Sequence, residues 1–368
     1  MTVRMPALLR FREGYFERIW GGDKLRRVFG KPAPANKPIG EAWVISDHAR
    51  FQSAVVGGPR KGTTLRELLE EDARALLGRR PELTVHGRFP LLLKLLDAAD
   101  VLSVQVHPDD AAAKRLGEPD VGKTEMWHVL AADPHSKLYC GLRPGVNREM
   151  FAAAIEANRL EELIVAFDAA AGDSVFVPAG TVHAIGGGLV IAEIQQNSDI
   201  TYRSYDWGRT GAQGHPRELH IEKSLEVTHF GSAHTGANTP LAYDAAGARV
   251  QVLGACRHFA AEEVTVQNRF SRRTRGDSFH IVLAKSGPVT VRAAEAPADS
   301  CRLEAGEAVL LPGCHPGYTI EGPGAVLAYY VPDLARDIVA PLRAAGHDDA
   351  SIVRLGGAPE ESDLAAWV

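Results

Sequence analysis

Four side chains of types that commonly bind metals stand at strand-like positions in the sequence: Gln105, His107, Glu125 and His183. Gln105 and His107 are separated by one residue, so on a β-strand both side chains point to the same face. Two imidazoles, a carboxylate and an amide oxygen that converge inside a barrel would bind one divalent metal and leave room for a substrate. The set suits zinc, and manganese, iron, cobalt or nickel would also fit. Gln105 either coordinates directly or hydrogen-bonds a metal-bound water.

The segment before His183 has turn residues at both ends, as is typical of a barrel strand. Gly172 opens it, an apolar stretch follows, and Pro178 and Gly180 precede His183. Gly and Pro turn the chain at strand ends, which would aim a strand-end histidine into a barrel mouth. The spacing is close to the second signature of the cupin barrels, and the other three residues come upstream in the order of the first signature.

Lys123 precedes Glu125 by two residues, so both would face one cavity if the strand includes them. One interpretation is a solvent-exposed lysine at a strand end. The other is a substrate contact, because a cation beside a metal is electrostatically unfavourable unless an anion lies between them.

The polar and aromatic run from 197 to 209 is a second candidate for ligand contact. In an extended chain Arg203, Tyr205, Trp207 and Arg209 share one face, which would form a cationic, aromatic lip for an anionic polar ligand. The alternative is a capping strand whose arginines form salt bridges. Ser103 shares the face of Gln105 and could donate a hydrogen bond to a phosphate oxygen.

Composition excludes several classes of protein. The 368 residues carry a net charge of −5, which is not the basic footprint of a nucleic-acid binder. The four cysteines are widely spaced, which argues against a zinc ribbon or a disulfide framework. No stretch has the apolar length of a signal peptide or a membrane span. We therefore expect a cytoplasmic protein, a monomer or homodimer, with neither nucleic acid nor membrane as a partner.

Apolar periodicity predicts few helices. Thr64 to Glu67 has the pattern of a capping box, with a leucine stripe behind it and Gly78 as the stop. A second helix is predicted to begin near Asn147 and to carry Phe151, Ile155 and Leu163, and a shorter one covers about 218 to 227. The remaining short apolar runs between Gly, Pro, Asp and Asn predict strands.

The sequence also repeats itself. Gly172 to Pro178 is echoed by Gly306 to Pro312, and the histidines that follow are His183 and His315. We expect a mainly β protein with two cupin-type (jelly-roll) β-barrels and a few flanking α-helices. Residues 1–235 would form the N-terminal catalytic cupin domain, and residues 236–368 a degenerate cupin-like domain without metal. His315 is interpreted as a turn or surface residue.

Seven segments of the chain resemble the class I mannose-6-phosphate isomerases, also called phosphomannose isomerases, of the short bacterial type. They follow the family's order, and they are Trp20–Gly22, Gly40–Trp43, Phe89–Lys94, Ser103–Asp109, Gly122–Glu125, Pro178–His183 and Asp199–Arg209. The resemblance implies a zinc site of Gln105, His107, Glu125 and His183, with Arg203 and Lys123 as catalytic residues. It also places Ser103 and, where longer relatives have a lysine, Arg209 at the substrate phosphate.

The implied reaction interconverts mannose 6-phosphate and fructose 6-phosphate through a cis-enediol. The residues leave the general base open: Lys123 is one candidate and Glu193 a further one. Two other functions compete. A cupin-type iron oxygenase would use His107, Glu125 and His183 as a two-histidine, one-carboxylate triad. A non-catalytic sugar-binding cupin would bind its ligand without turnover.

Overall fold

The computed structural model describes residues 5–210, 214–231, 236–296 and 298–368. The described chain is mainly β and its strands pair antiparallel, as the sequence predicts. The strands of the first half are β1 (Gly14–Gly22), β2 (Ile39–Ile45), β3 (Asp47–His48), β4 (Phe51–Gln52), β5 (Leu91–Ala98), β6 (Val104–Val106), β7 (Glu125–Ala132), β8 (Lys137–Leu142), β9 (Ile164–Asp168), β10 (Ser174–Val177), β11 (His183–Ile185), β12 (Leu189–Gln196) and β13 (Tyr202–Tyr205). Those of the second half are β14 (Leu241–Ala245), β15 (Ala248–Ala255), β16 (Ala260–Val266), β17 (Arg269–Arg273), β18 (His280–Ser286), β19 (Val289–Ala293), β20 (Ser300–Leu303), β21 (Ala308–Leu311), β22 (Gly317–Glu321) and β23 (Gly324–Tyr330).

The helices are short and lie between the strands or after the last one. The α-helices are α1 (Lys24–Arg27), α2 (Leu65–Leu77), α3 (Asp110–Arg115), α4 (Arg148–Glu156), α5 (Ile221–Val227), α6 (Ala340–Ala344) and α7 (Asp349–Val353). Single-turn 3₁₀ segments occur at Gly58–Arg60, Leu160–Leu163, Arg354–Gly356 and Asp363–Ala366, and a π-helix at Leu334–Val339. Within the described ranges, no helix combines the length and the apolar character that crossing a bilayer requires.

Helices α2 and α4 begin at the capping residues that the sequence indicates. The Thr64 side chain accepts a hydrogen bond from Glu67 N while the Glu67 carboxylate accepts one from Thr64 N, which is the capping box of α2. Gly78 ends that helix with φ 91°, a conformation that favours glycine. Asn147 caps α4, but Leu163 lies beyond it in a separate 3₁₀ turn.

By its internal contacts the chain divides into two compact units. One contains the described residues up to Gly14, Trp43–Leu93 and Thr239–Val368, and the other contains Tyr15–Ala42 and Lys94–Asn238. The chain passes from one unit to the other within strands β1, β2 and β5 and between Asn238 and Thr239. The bounds 1–235 and 236–368 stay a prediction about domains, since the first 93 residues are shared between the two units.

Two antiparallel sheets build the part of the fold that holds the candidate ligands. Their strand orders are β1-β2-β5-β12-β7-β10 and β13-β6-β11-β8-β9, and we call them together the N-terminal sheet pair. Apolar side chains from both sheets form a buried core that includes Trp127, Leu138 and Ile191. The functional side chains therefore stand on strands whose other residues are fixed by packing.

A second pair of sheets repeats this topology. The orders β14-β15-β16-β23-β18-β21 and β17-β22-β19-β20 form the C-terminal sheet pair. Its β16-β23-β18-β21 order matches β5-β12-β7-β10, and β17-β22-β19-β20 matches β6-β11-β8-β9. The sequence repeat at Gly172 and Gly306 thus belongs to a structural repeat that includes both sheets. His315 lies in a turn, with its backbone N donating to the Pro312 carbonyl oxygen at 3.1 Å. It is buried, not at the surface, and its Nε2 lies 3.3 Å from the Met5 carbonyl oxygen.

Candidate active site

Neighbouring strands bring three of the sequence-predicted residues into one row. In the sheet order β13-β6-β11, Gln105 on β6 pairs directly with Arg203 on β13 and with His183 on β11. Residues directly opposite each other in antiparallel strands project to the same face. Gln105, Arg203 and His183 therefore share one face of this sheet.

His107, Glu125 and His183 converge as the sequence predicts. Each offers a ligand atom within 4.8 Å of the others, and all three side chains are buried. His183 Nε2 lies 3.4 Å from Glu125 Oε1, and His107 Nε2 lies 3.6 Å from Glu125 Oε2. Two imidazoles and one carboxylate in this arrangement form a candidate divalent-metal site.

The protonation state of His183 suits a metal ligand. Its Nδ1 lies 2.8 Å from the Thr181 carbonyl oxygen, which can only accept, so Nδ1 carries the proton and Nε2 keeps its lone pair. Burial lowers the pKa of His183 to about 3. Burial, followed by the charge of Lys123, also holds the pKa of His107 well below its ordinary value. Both rings are therefore neutral at neutral pH, as coordination requires.

Glu125 is oriented by two neighbours. Trp127, two residues further along β7, donates from Nε1 to Glu125 Oε1 at 3.0 Å. Lys123 Nζ lies 2.6 Å from Glu125 Oε2 and 3.1 Å from His107 Nε2. The carboxylate thus has a fixed direction between the two histidines.

Lys123 is buried beside the ligands, so the interpretation as a solvent-exposed lysine is wrong. Its backbone N donates to the Pro108 carbonyl oxygen at 2.9 Å. A side chain at Gly122 would approach backbone atoms of Asp109 and Asp110 within 2.5 Å, so only glycine allows this close packing. Burial lowers the pKa of Lys123, but the charges of Glu125 and Glu193 and the hydrogen bond to Glu125 outweigh it and raise the pKa.

Comparison with known proteins identifies the family. The family model described as "Phosphomannose isomerase type I, catalytic domain" matches residues 8–134. The mannose-6-phosphate isomerase of Streptococcus mutans is 36% identical over 313 residues, which cover 85% of this chain and 94% of the relative.

The chain belongs to the mannose-6-phosphate isomerase family. The crystal structure of the mannose 6-phosphate isomerase from Bacillus subtilis is 31% identical to it, with a TM-score of 0.79 over 88% of this chain and 99% of that one. A zinc-bound mannose 6-phosphate isomerase shares the fold at 18% identity, with a TM-score of 0.68 over 88% of this chain and 99% of that one. The resemblance stated from the sequence is confirmed, and these relatives do not support the oxygenase or the non-catalytic alternative.

One cluster in this mannose-6-phosphate isomerase family member was largely missed by sequence reasoning. Lys94 is buried on β5, with Nζ 3.6 Å from Glu193 Oε1 and 3.7 Å from Asp199 Oδ1. By register, Glu193 on β12 stands opposite Trp127, so it projects to the same face as Trp127 and Glu125. Burial and the charge of Glu125 raise the pKa of Glu193. A lysine inside a run of leucines was the signal that could have revealed the cluster.

Arg203 has no carboxylate within salt-bridge distance in the part of the chain described. Its guanidinium donates from Nη1 to the Glu218 carbonyl oxygen at 2.8 Å, while Nε is buried without a partner in the described structure. Burial, followed by the charge of Arg217, lowers the pKa of Arg203. This unneutralised cation stands in the row of Gln105 and His183 and is suited to an anionic ligand.

The predicted lip from Arg203 to Arg209 does not continue as one extended strand. Strand β13 ends at Tyr205, and Trp207 and Gly208 both have positive φ, 58° and 67°. The rings of Tyr205 and Trp207 are tilted against each other, with centroids 5.2 Å apart, and both pack with the core. A register shift sets Arg203 opposite Gln105 but Tyr205 opposite Val104, so the single shared face expected of the four residues is wrong. A positive-φ turn reverses the alternation on which that expectation depended.

The two phosphate candidates differ in their surroundings. Ser103 is buried directly before β6. Arg209 donates to Asp206 Oδ1 at 2.7 Å and to the carbonyl oxygen of Val101, and its Nη1 lies 3.4 Å from Asp100 Oδ2. Arg209 therefore lies beside the segment that leads to Ser103, with its charge already opposed by a carboxylate. Its role in phosphate binding stays a prediction.

Proposed function

We propose that this protein interconverts mannose 6-phosphate and fructose 6-phosphate by moving a proton between C1 and C2 through a cis-enediol. The observation that carries the proposal is the buried constellation of His107, Glu125 and His183 with the Lys123 ammonium 2.6 Å from the Glu125 carboxylate. Abstracting a proton next to a carbonyl requires stabilisation of the enediolate charge, and this site concentrates groups that can supply it.

The residues fit a divalent metal on two grounds. His183 Nε2 is buried and lacks a hydrogen-bond partner among the described residues, and leaving such an atom unsatisfied is costly. The donor set contains nitrogen and oxygen only, so we propose zinc, held by His107, Glu125 and His183, with Gln105 as a further ligand. A divalent metal there supplies Lewis-acid polarisation of the sugar's carbonyl and hydroxyl oxygens.

Lys123 and Arg203 act on the oxygens of the reacting carbons in this proposal. Lys123 projects from beside the ligands and carries N–H donors on a buried cation, so it donates to the developing oxyanion and passes a proton to it. Arg203 shares the remaining negative charge from its position in the row of Gln105 and His183. In a buried site such charges act with less screening than in water.

Glu193 is the group that we propose takes the proton from carbon. Its Oε1 makes no hydrogen bond within the described residues, and its side chain is held near Lys94 by charge. Burial raises the pKa of this carboxylate, which increases its basicity. Lys123 and Glu193 would thus divide the two proton transfers, one at oxygen and one at carbon.

Ser103 and Arg209 are our candidates for the phosphate of the sugar. A contact at the phosphate, away from the reacting carbons, would supply binding energy that orients the substrate. Arg209 would exchange part of its contact with Asp206 for the phosphate, since both compete for the same guanidinium. We further propose a monomer or homodimer that works in the cytoplasm.

A coupled assay tests the proposed function. Mannose 6-phosphate is supplied to protein loaded with zinc and to protein treated with a chelator, and fructose 6-phosphate is measured. We expect turnover with zinc, loss of turnover after chelation and recovery when zinc is added back. Oxygen uptake by the iron(II)-loaded protein without isomerisation would favour an oxygenase, and sugar-phosphate binding without turnover a non-catalytic cupin.

A further inference from the structure

The C-terminal sheet pair carries polar side chains at the positions that hold the metal-type residues in the N-terminal pair. In the N-terminal pair, the last residue of β10, Val177, lies opposite Glu125. In the C-terminal pair, the last residue of β21, Leu311, lies opposite His280, and each of these strand ends is followed by a proline. His280 therefore stands where Glu125 stands in the first copy.

The second sheet of each pair extends the correspondence. Gln105 lies opposite His183 in the N-terminal pair, and Arg272 lies opposite Tyr318 in the C-terminal pair. The Tyr318 hydroxyl lies 3.2 Å from His280 Nδ1, so these two groups meet as a histidine and a glutamate meet in the first copy. Both sheet pairs therefore have buried polar side chains at this position, but the residue types differ.

A cavity of about 250 Å³ opens at this centre. Its wall includes Tyr243, Glu262, Phe270, Arg272, His280 and Tyr330. This volume is below the common range of about 300–1,000 Å³ for ligand pockets, so it suits a molecule of monosaccharide size. A partly open space that joins aromatic faces with a few convergent polar groups has the general make-up of a ligand site.

The buried charges beside His280, those of Glu262 and Arg272, compensate each other. Arg272 Nη1 donates to Glu262 Oε2, and the Tyr330 hydroxyl donates to Glu262 Oε1 at 2.7 Å. This one carboxylate takes a single N–H of Arg272 in the described contacts, and a guanidinium has five. Burial holds the pKa of His280 well below its ordinary value, so the ring is neutral. Elsewhere in the wall, Arg336 pairs with both Asp277 and Asp337, and Arg273 and Arg275 are exposed to solvent. The part of the cavity at Glu262, Arg272 and His280 thus offers donors and acceptors without an excess of either charge.

Stability alone does not explain this ion pair. Glu262 is fully buried, and the Arg272 side chain is 12% exposed. Replacing a buried pair of this kind by apolar residues is often neutral or stabilising. Arg272 also lies over the rings of Phe270 and Tyr330, at 5.5 and 5.7 Å from their centroids, and Tyr330 stacks on His280 at 4.5 Å. The rings hold the guanidinium in place.

We infer that the C-terminal sheet pair contains a second binding site, and that it takes a small uncharged polyhydroxyl molecule of monosaccharide size. Hydroxyl groups both donate and accept, which matches the Arg272–Glu262 pair and the tyrosine hydroxyls. The carbon skeleton of such a molecule packs on the faces of Tyr243 and Phe270. This site is independent of the reaction proposed for the N-terminal sheet pair.

Saturation-transfer NMR on the full chain tests the site, with myo-inositol and D-mannose as probes and inorganic phosphate as the anionic comparison. We expect saturable binding of at least one polyol. Tyr243→Trp, which fills the cavity, should weaken that binding at least tenfold. The double change Glu262→Gln with Arg272→Met removes both charges together at similar volume and should have the same effect.

The matched control is Arg269→Gln, an exposed residue on the same strand as Arg272, which should bind like the wild type. Circular dichroism establishes that each variant is folded, and unchanged kcat/KM of Tyr243→Trp for mannose 6-phosphate shows that the first site is intact. Absence of polyol binding, or equal binding by wild type and both cavity variants, overturns the inference. Saturable binding of phosphate alone overturns the ligand class.

Discussion

Gln105 and His183 lie directly opposite each other on the antiparallel strands β6 and β11. The pairing means that an amide and an imidazole project side by side toward the same space, although 77 residues lie between them in the sequence. It also fixes the position of Gln105 relative to the candidate metal ligands, since the register of two strands cannot shift by one residue without reversing every side chain.

We predict that Gln105→Leu weakens zinc binding by about 10- to 100-fold, the range typical for a lost supporting partner of a metal site. His183→Ala should weaken it more, because an imidazole is the stronger donor. Zinc affinity is measured by competition with a chromophoric chelator. Gln267→Leu, an exposed glutamine in the C-terminal sheet pair, is the control, and an affinity of Gln105→Leu equal to this control would exclude a role in the metal site.

Trp127→Phe should also reduce zinc affinity by about 10- to 100-fold, because it removes the N–H that fixes Glu125 Oε1. Loss of this buried hydrogen bond should lower the free energy of unfolding by about 1–3 kcal/mol. Chelator competition and urea unfolding measure the two effects. Trp43→Phe, an equally buried tryptophan, controls for lost ring volume. If both variants lower zinc affinity equally, the orienting role of Trp127 is refuted.

Arg203→Ala should reduce kcat by about 10²- to 10³-fold with unchanged zinc content, because it removes a cation from the developing charge. Arg203→Lys should recover only part of the activity, since an ammonium lacks the planar fork. Steady-state kinetics and metal analysis provide the measurements. Arg217, which pairs with Asp206, offers the matched control Arg217→Ala. Nearly full kcat in Arg203→Ala would remove Arg203 from the mechanism.

Glu193→Gln should abolish exchange of the C2 hydrogen of mannose 6-phosphate with deuterated solvent and reduce kcat by about 10²- to 10⁴-fold. NMR follows the exchange, and metal analysis establishes that zinc is retained. Asp97→Asn changes another buried carboxylate, one that accepts a hydrogen bond from Leu25 N, and should preserve exchange. Exchange at the wild-type rate in Glu193→Gln would assign the carbon base to Lys123.

His280 should make folding sensitive to acid. Its pKa is depressed in the folded chain by burial and then by Arg272, and its ring faces Tyr318 and Tyr330. The unfolded chain therefore binds a proton below about pH 6.5 that the folded chain does not, so stability present above that pH is lost as the pH falls. The loss amounts to at most about 1.4 kcal/mol per pH unit for one proton.

The comparison of His280→Phe with wild type isolates this contribution. Urea unfolding between pH 4.5 and 7.5 should give a shallower loss of stability in the variant, while other buried histidines contribute equally to both proteins. His135→Asn, at an exposed histidine, should keep the wild-type slope. Equal slopes for wild type and His280→Phe would show that His280 is not the group responsible.

The sequence predicts the grouping of the candidate metal ligands because their strands alternate or end in turns. Gln105 and His107 are separated by one residue, and the turn at Pro178 to Gly180 marks the end of the strand before His183. The Thr64 capping box was equally readable, since both of its hydrogen bonds are local. Local rules are sufficient where partners are close in sequence.

Lys94 and Glu193 were harder to place for a physical reason. Strands β5 and β12 are buried at every position, so neither face is marked by alternation. Which face each charge occupies depends on pairing across the sheet, which the sequence does not state. The turn at Trp207 was missed because its positive φ occurs at a tryptophan, where local propensity predicts continued strand.

The contact between Lys123 and Glu125 has a consequence for how binding of the metal ion and binding of the substrate depend on each other. The ammonium already balances the carboxylate, so Glu125 offers no net negative charge to an incoming ion. A divalent ion that enters adds two uncompensated positive charges to a space from which water is largely excluded, and such an excess is costly. A dianionic sugar phosphate cancels that excess. Ion and substrate should therefore strengthen each other's binding, and the free sugar without its phosphate should lack this advantage.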